Sequence, residues 1–336
     1  MLGAMETSTK HEREIPLLRT DLTFADHLGA LRVRLGFGRD RYRITPGLYG
    51  IGGPDRSAPV LVTANYKLTV DALRKELNGR DVWLLVLDTR GVNVWCAAGK
   101  GTFGTEELII RLLDSSIQTL VDHRTLVLPQ LGAPGVAAHD VRAAVGFRVV
   151  YGPVRAADLP AFLDAGMKAT PEMRRVEFRM WDRLTVTGVE LSVMRDIRVL
   201  TGATALLLLS AVGLVPWSGT ALALTAGATG VLAGGLLVPL ALPWVPGRAF
   251  ALKGAIVGVL AAFGLLGTFS AHIDAAGSVA LVVGVSALAS FAAMNFTGSS
   301  TFTSLSGVLW EMRRAVPVQA VAALVALTAL IVSIAW

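Results

Sequence analysis

The strongest constraint in this sequence is the place where charge is missing. Residues 199–336 hold six charged side chains in 138 positions: Arg248, Lys253, Arg313, Arg314, Asp274 and Glu311. The whole chain of 336 residues is 17% charged, against about 25% in an ordinary globular protein. So apolar a second half cannot form a soluble domain, and the expectation is a soluble part over 1–198 followed by a membrane domain over 199–336. Five apolar stretches stand out there, near 199–217, 220–243, 250–270, 275–296 and 316–336. Each approaches the roughly 20 residues that a helix needs to cross a bilayer core. Small residues recur inside them, as in GATGVLAGG at 227–235, and these let membrane helices pack closely.

Lys and Arg orient the spans. Arg195 and Arg198 precede the first stretch, Arg248 and Lys253 lie between the second and third, and Arg313 and Arg314 precede the fifth. The connections 216–219 and 271–278 contain neither residue. The expected topology is a multi-pass protein of the cytoplasmic (inner) membrane, with five spans, the soluble part in the cytoplasm and Trp336 outside. The first 18 residues are polar and charged and lack the apolar core of a secretory signal. No ionisable group is central to a span, since His272 and Asp274 fall in an outer loop and Lys253 near an inner end. That argues against a transport pathway. The hydroxyl-rich run MNFTGSSTFTSLSG (294–307) reads either as a polar loop or as a docking surface for the soluble part or a partner.

The net charge of +6 is shared between the two parts and does not indicate nucleic-acid binding. A basic cluster, Arg32, Arg34, Arg39, Arg41 and Arg43, is relieved only by Asp40. It reads as a solvated face, a contact with anionic lipid headgroups or a holder of an anionic ligand. The single cysteine, Cys96, excludes an internal disulfide and a Cys-rich zinc site or iron–sulfur cluster held by this chain alone.

In the soluble part, residues 1–57 read as a basic N-terminal extension packing on a domain at 58–166, and 167–198 as a coupling segment. Strands are expected at 59–64, 82–88, 125–129 and 147–152, with helices at 68–77, 105–120, 135–145 and 155–166. The fold class is therefore α/β, a Rossmann-like domain with a mostly parallel sheet, followed by the five-helix transmembrane domain. Ligands of such sheets bind beyond the carboxyl ends of the strands. Those ends bring forward Thr63, Asn65 and Lys67 after the first strand and Gln130 and Gly132 after the third.

Gly99-Lys100-Gly101-Thr102-Phe103-Gly104 matches a dinucleotide fingerprint literally, but ten residues separate it from the preceding strand. The fingerprint should follow its strand directly, so this is a decoy. The backbone amides of the loop and of the following helix start (Gly99, Lys100, Gly104, Thr105) remain candidates for holding a ligand's polar groups. The sharpest feature is Asn93-Val94-Trp95-Cys96-Ala97-Ala98-Gly99-Lys100. A lone cysteine is ordinarily a small buried hydrophobe. Here it follows a strand's carboxyl end, a cation stands four residues on, and its neighbours are small enough for a bulky planar ligand to approach.

This NVWCAAGK run, with GTFGTEEL after it and TANYKLT (63–69) before it, resembles the mercury-methylating corrinoid protein (HgcA) family. VRAADLPAFL, MNFTGSSTFTSLSG and the soluble-then-membrane layout extend the resemblance over residues 20–336. The soluble half resembles, more distantly, the corrinoid-binding domain of the corrinoid iron–sulfur protein of the acetyl-CoA pathway. The resemblance implies a cobalamin whose cobalt is bound on its lower face by the thiolate of Cys96, with 93–100 as a cap helix. Asn93, Trp95 and Ala97 would shape that cap. It implies a corrinoid-dependent methyltransferase of one-carbon chemistry that carries the methyl group of methyl-cobalamin to Hg(II). No Asp-x-His-x-x-Gly sequence offers a histidine ligand instead, and Asp122-His123 lacks the spacing. Implied partners are the lipid bilayer, a methyl donor such as methyltetrahydrofolate or its methyltransferase, and a ferredoxin-like 4Fe–4S protein (HgcB type). That protein would supply electrons and thiolates for mercury. Two alternatives stand beside this: the same chemistry with another methyl acceptor, and a membrane corrinoid-binding protein without catalysis.

Overall fold

The computed structural model describes residues 15–269, 273–299 and 305–335. His272, Trp336 and residues 300–304 of the hydroxyl-rich run lie outside the described residues. The chain divides into two compact units, residues up to Arg32 with Gly38–Val176, and Val33–Phe37 with Glu177–Trp336.

In the first unit the order is α1 (Phe24–Arg34), β1 (Gly47–Ile51), β2 (Val60–Ala64), α2 (Lys67–Glu76), β3 (Val82–Leu87), α3 (Val94–Lys100), α4 (Thr105–Ser115), β4 (Thr125–Leu128), α5 (Ala138–Val145), β5 (Arg148–Tyr151) and α6 (Leu159–Asp164). The strands form one mixed sheet in the order β1-β3-β2-β4-β5. β3, β2, β4 and β5 run parallel, and β1 adds antiparallel to β3. The stretch 1–57 thus contributes an edge strand as well as α1. β2 and β3 are buried along their whole length, which is why they read as unbroken apolar runs. Alternation sends Val60, Val62, Leu85, Leu87, Leu126 and Leu128 to one face, against Leu108 and Leu112 of α4 and Val141 of α5. Leu61, Leu84, Val86 and Val127 face the other way, against Val70 of α2 and Leu159 and Phe162 of α6. The connections after β2 and β4 therefore leave on opposite faces. These strands are neighbours, and a crevice opens between their carboxyl ends.

The second unit contains α7 (Met180–Glu190), α8 (Ile197–Ala211) and α9 (Trp217–Leu232). α9 passes through a π turn at Ala233–Leu237 into α10 (Val238–Ala241), and α11 (Phe250–Phe269), α12 (Ala275–Asn295) and α13 (Leu305–Ala335) follow. Among the described residues four helices are long and apolar enough to cross a membrane: Trp217–Ala241, Phe250–Phe269, Ala275–Asn295 and Ser306–Ser333. Five were expected; over the first expected stretch, 199–217, the helix is the shorter Ile197–Ala211. α8 spans 15 residues, about 22 Å at 1.5 Å per residue, short of the roughly 30 Å core. The apolar stretch 199–217 is broken at Gly213, in the left-handed region at φ 78°, and Pro216 then caps α9. Close packing follows from glycine where it was expected. A Cβ at Gly234 would come within 2.2 Å of the Ala289 carbonyl, and one at Gly254 within 2.5 Å of it. Helix ends find side-chain partners: Arg183 donates to the carbonyls of Pro239 and Leu240, Lys253 donates to that of Leu242, and Glu311 accepts from the Ala251 N–H at 2.6 Å.

Candidate functional site

The crevice between β2 and β4 holds a cavity of about 420 Å³. Its walls come from the carboxyl ends of the parallel strands (Thr63, Pro129, Gly152, Pro153), from α2 (Leu68, Thr69, Leu73) and from the start of α3 (Asn93, Val94, Trp95). Most of the lining is apolar. Thr63 is fully buried, and its Oγ1 has no hydrogen-bond partner in the described structure. A buried hydroxyl without a partner is costly, so this one is available to a polar group entering the cavity.

α3 is a seven-residue helix built at both ends by its own sequence. Asn93 is the N-cap, and its Oδ1 accepts the Cys96 N–H at 2.9 Å. Gly101 closes the other end at φ 80°, a left-handed conformation that favours glycine. Cys96 is a free, half-buried thiol on this helix, one residue past the wall residue Trp95 and not itself among the residues that line the cavity. Ala97 and Ala98 point into the protein. Ala97 is fully buried, and Ala98 packs on the 130–135 turn, where a Cβ at Gly135 would lie 2.1 Å from the Phe103 carbonyl and 3.0 Å from the Ala98 Cα. Small size at 97, 98 and 135 thus seats the helix on the protein. Gly135→Ala is expected to push α3 off its seat at a cost of about 2 kcal/mol. Faster amide exchange over 94–103 would check it, and an unchanged exchange rate would refute it.

The other expected site residues sit around this cavity in different roles. Thr63, Asn93 and Trp95 line it. Asn65 stands behind it. Its Oδ1 accepts from the Thr89 hydroxyl (2.9 Å) and the Gly91 N–H (2.9 Å), and its amide donates to Asp88 (3.0 Å). The Asp88 N–H in turn donates to Glu107 at 2.7 Å. Asn65 therefore fixes the loop that delivers α3. Asn65→Ala leaves buried donors unpaired and is expected to cost about 2–3 kcal/mol, read as a lower denaturation midpoint; a midpoint unchanged from wild type would refute this role.

Lys67 is turned away from the cavity into ion pairs with Asp26 and Asp71. Gln130 accepts from Arg174 at 3.0 Å, and Gly132 lies on the buried Phe103 ring. Gly99 and Lys100 are exposed at the end of α3. Gly104 is the N-cap of α4, and Thr105 Oγ1 accepts the Ala137 N–H at 2.8 Å. The glycine-rich loop so serves to end one helix, start the next and bury Phe103. Wall residues that strand-end reasoning passed over are Tyr66, Thr69, Leu73 and Arg155. For Tyr66, Thr69 and Leu73 the signal was helical spacing along the cavity side of α2, whereas Arg155 lies in the loop after β5.

The donor set at this site is one thiol. Among the described residues no three His, Cys, Asp or Glu side chains gather as a metal site. One thiol on the helix whose first residues wall an apolar cavity, with a free buried hydroxyl in that cavity, suits a metal that brings its other ligands in a macrocycle. The residues present fit a corrinoid.

The family described as the CO dehydrogenase/acetyl-CoA synthase delta subunit matches residues 38–163. The acetyl-CoA decarbonylase/synthase complex subunit gamma of Methanopyrus kandleri is 38% identical over 128 residues, 38% of this chain and 27% of that protein. The subunit gamma of Methanothermobacter thermautotrophicus is 31% identical over 123 residues, 36% of this chain and 26% of its own length. That of Methanosarcina acetivorans is 32% identical over 123 residues, 35% and 26% respectively. The chain thus spans about a quarter of the length of these relatives. The family match covers the sheet, its cavity and α3 and stops before the apolar helices, so residues 38–163 are what is similar to the CO dehydrogenase/acetyl-CoA synthase delta subunit.

Proposed function

We propose that this chain is a membrane-anchored corrinoid methyltransferase that delivers a methyl group to Hg(II), forming methylmercury. The observation that carries the reading is the Asn93-capped α3, which holds the only cysteine beside a strand-end cavity in a Rossmann-like sheet. A corrinoid held here would supply the methyl-carrying chemistry of its cobalt. Cys96 Sγ would hold the cobalt as a soft, electron-donating ligand, which would favour release of the methyl group to a soft electrophile. Asn93 holds the Cys96 backbone and so the direction of the thiol. Trp95 and the apolar wall exclude water, and Thr63 offers its hydroxyl to the ligand's polar rim. With its one cysteine committed, the chain needs thiolates and low-potential electrons from a partner, which a 4Fe–4S ferredoxin-like protein supplies. The methyl donor is methyltetrahydrofolate or the methyltransferase that uses it.

A second reading keeps the chemistry and changes the acceptor. It is favoured by the relatives' being acetyl-CoA decarbonylase/synthase subunits. One assay separates the two: the full chain in lipid nanodiscs, with methylated corrinoid, partner, reductant and thiol-bound Hg(II). Methylmercury formed at a rate proportional to the chain is the expected result. Corrinoid bound without any mercury product transfers the claim to the second reading, and no corrinoid bound removes both.

The Lys/Arg pattern puts the sheet unit in the cytoplasm. It also requires α8 with residues 212–216 to bring the chain to the opposite face, because Arg198 and Arg248 flank α8–α10 on one side. Reporter fusions at Ser218 and Ser333 should both read as outside. A fusion at Ser218 reading as cytoplasmic would overturn this topology.

A further inference from the structure

α1 is held by one face and offers the other. Phe24, Leu28 and Leu31 are 82%, 47% and 54% exposed, and their i, i+4, i+7 spacing sets them in one stripe. The opposite face is occupied. Asp26 pairs with Lys67 and Arg74, Gly29 lies against the Tyr42 ring, and Val33 is buried. At 100° per residue Ala25 and Arg32 border one edge of the stripe, and His27 and Arg34 border the other. Arg32, Arg34, Arg39 and Arg41 are all exposed. The only acid of the helix, Asp26, is on the inner face. The outer face is therefore apolar at its centre and cationic at its margins, without a carboxylate.

The end of the helix is tied to the apolar unit. Val33–Phe37 belong to the compact unit of the apolar helices. Within it the Arg195 guanidinium donates to the Leu35 carbonyl and lies 3.8 Å from the centre of the Phe37 ring. A Cβ at Gly188 would come within 2.4 Å of the Arg34 carbonyl. These contacts fall on residues just before α8, where the apolar helices begin. A chain with four helices long and apolar enough to cross a membrane meets a bilayer, and an apolar stripe with cationic margins suits that surface.

We infer that α1 is an in-plane membrane helix. Its Phe24–Leu28–Leu31 stripe enters the boundary between headgroups and acyl chains, and its arginines hold the phosphates of anionic lipids. The basic cluster is then a lipid contact rather than a solvated face.

The test uses the full chain in nanodiscs of phosphatidylcholine, with or without phosphatidylglycerol. A photo-crosslinking benzoylphenylalanine is placed at Leu28 or Leu31, and at Asp114, exposed on α4, for comparison. Lipid adducts are expected at the two leucine positions and only background at Asp114. In anionic discs Arg32→Gln and Arg34→Gln should each lower the adduct yield roughly fivefold, with no change in neutral discs. In the unsubstituted chain, amides 24–34 should exchange more slowly in anionic than in neutral discs. Adducts at Leu28 no higher than at Asp114, or adducts to protein instead of lipid, overturn the inference. So does amide exchange that is blind to lipid charge.

Discussion

Cys96→Ala is expected to leave the protein folded and inserted while methyl transfer falls by at least about 100-fold, the scale already found for groups that merely support a metal ligand. The structure separates the two effects. The cysteine's contribution to α3 runs through its backbone N–H, which Asn93 accepts and alanine retains. The side chain is half-buried, and alanine is the best helix former, so stability should move by no more than about 1 kcal/mol. Cys96→Ser should fail equally, because a neutral hydroxyl is a poor donor to cobalt. Cys96→His should keep the cofactor through imidazole but transfer more slowly, since nitrogen is the less electron-donating ligand. Each change should alter the corrinoid absorption bands. A Cys96→Ala protein with an unaltered spectrum and full activity would make the cysteine a packing residue only.

How much of this was legible in the sequence depended on how local the cause was. β2 to β5 and their helices follow from short-range pattern, and observed ends fall within a few residues of those expected. β1 was not visible, because GLYGI carries two glycines and little strand preference of its own. It is a strand because β3 would otherwise be the edge of the sheet. The apolar stretch 199–217 looked like one continuous helix because hydropathy counts Gly213 and Pro216 as neutral, whereas the helix ends at Ala211. α13 begins at Leu305 rather than near 316, since Glu311, Arg313 and Arg314 ride on the helix instead of preceding it. At the site, the strand-end location was readable from position, whereas the helix at α3 was expected only from the family resemblance. The roles of Asn65 and Lys67 were not, because their partners are distant in sequence: Asp88 to Gly91 for the first, Asp26 for the second. A polar residue after a strand looks the same whether it faces the ligand or braces the wall.

The largest stability effect is expected at Asp26. Its carboxylate accepts from Lys67 at 2.5 Å, from Arg74 at 2.7 Å and from both the N–H and hydroxyl of Thr23 at 2.9 Å. Lys67 and Arg74 share a second carboxylate, Asp71, so two cations and two anions balance between α1 and α2. Burial pushes the Asp26 carboxyl up, but the hydrogen bonds from Lys67, Thr23 and Arg74 outweigh it and hold it well below the usual carboxylate range. Asp26→Asn leaves two largely buried cations facing one acid and should cost about 3 kcal/mol. The sign of the pH dependence follows. A carboxyl more acidic in the folded than in the unfolded chain stabilises fully above its unfolded value, about 3.9, and loses that contribution as pH falls toward the folded one. Wild type and variant should thus differ most at about pH 5 and above, begin to approach one another only below about pH 4, and converge as pH falls on toward the folded value. A second change, Asp26→Asn with Lys67→Met, should recover part of the loss by leaving Arg74 and Asp71 as a balanced pair. Thermal melts of the full chain at pH 7 and pH 2 decide the matter. A gap equally wide at both would mean that Asp26 holds α1 by shape alone, and that the charge network carries none of the attachment on which the exposed stripe depends.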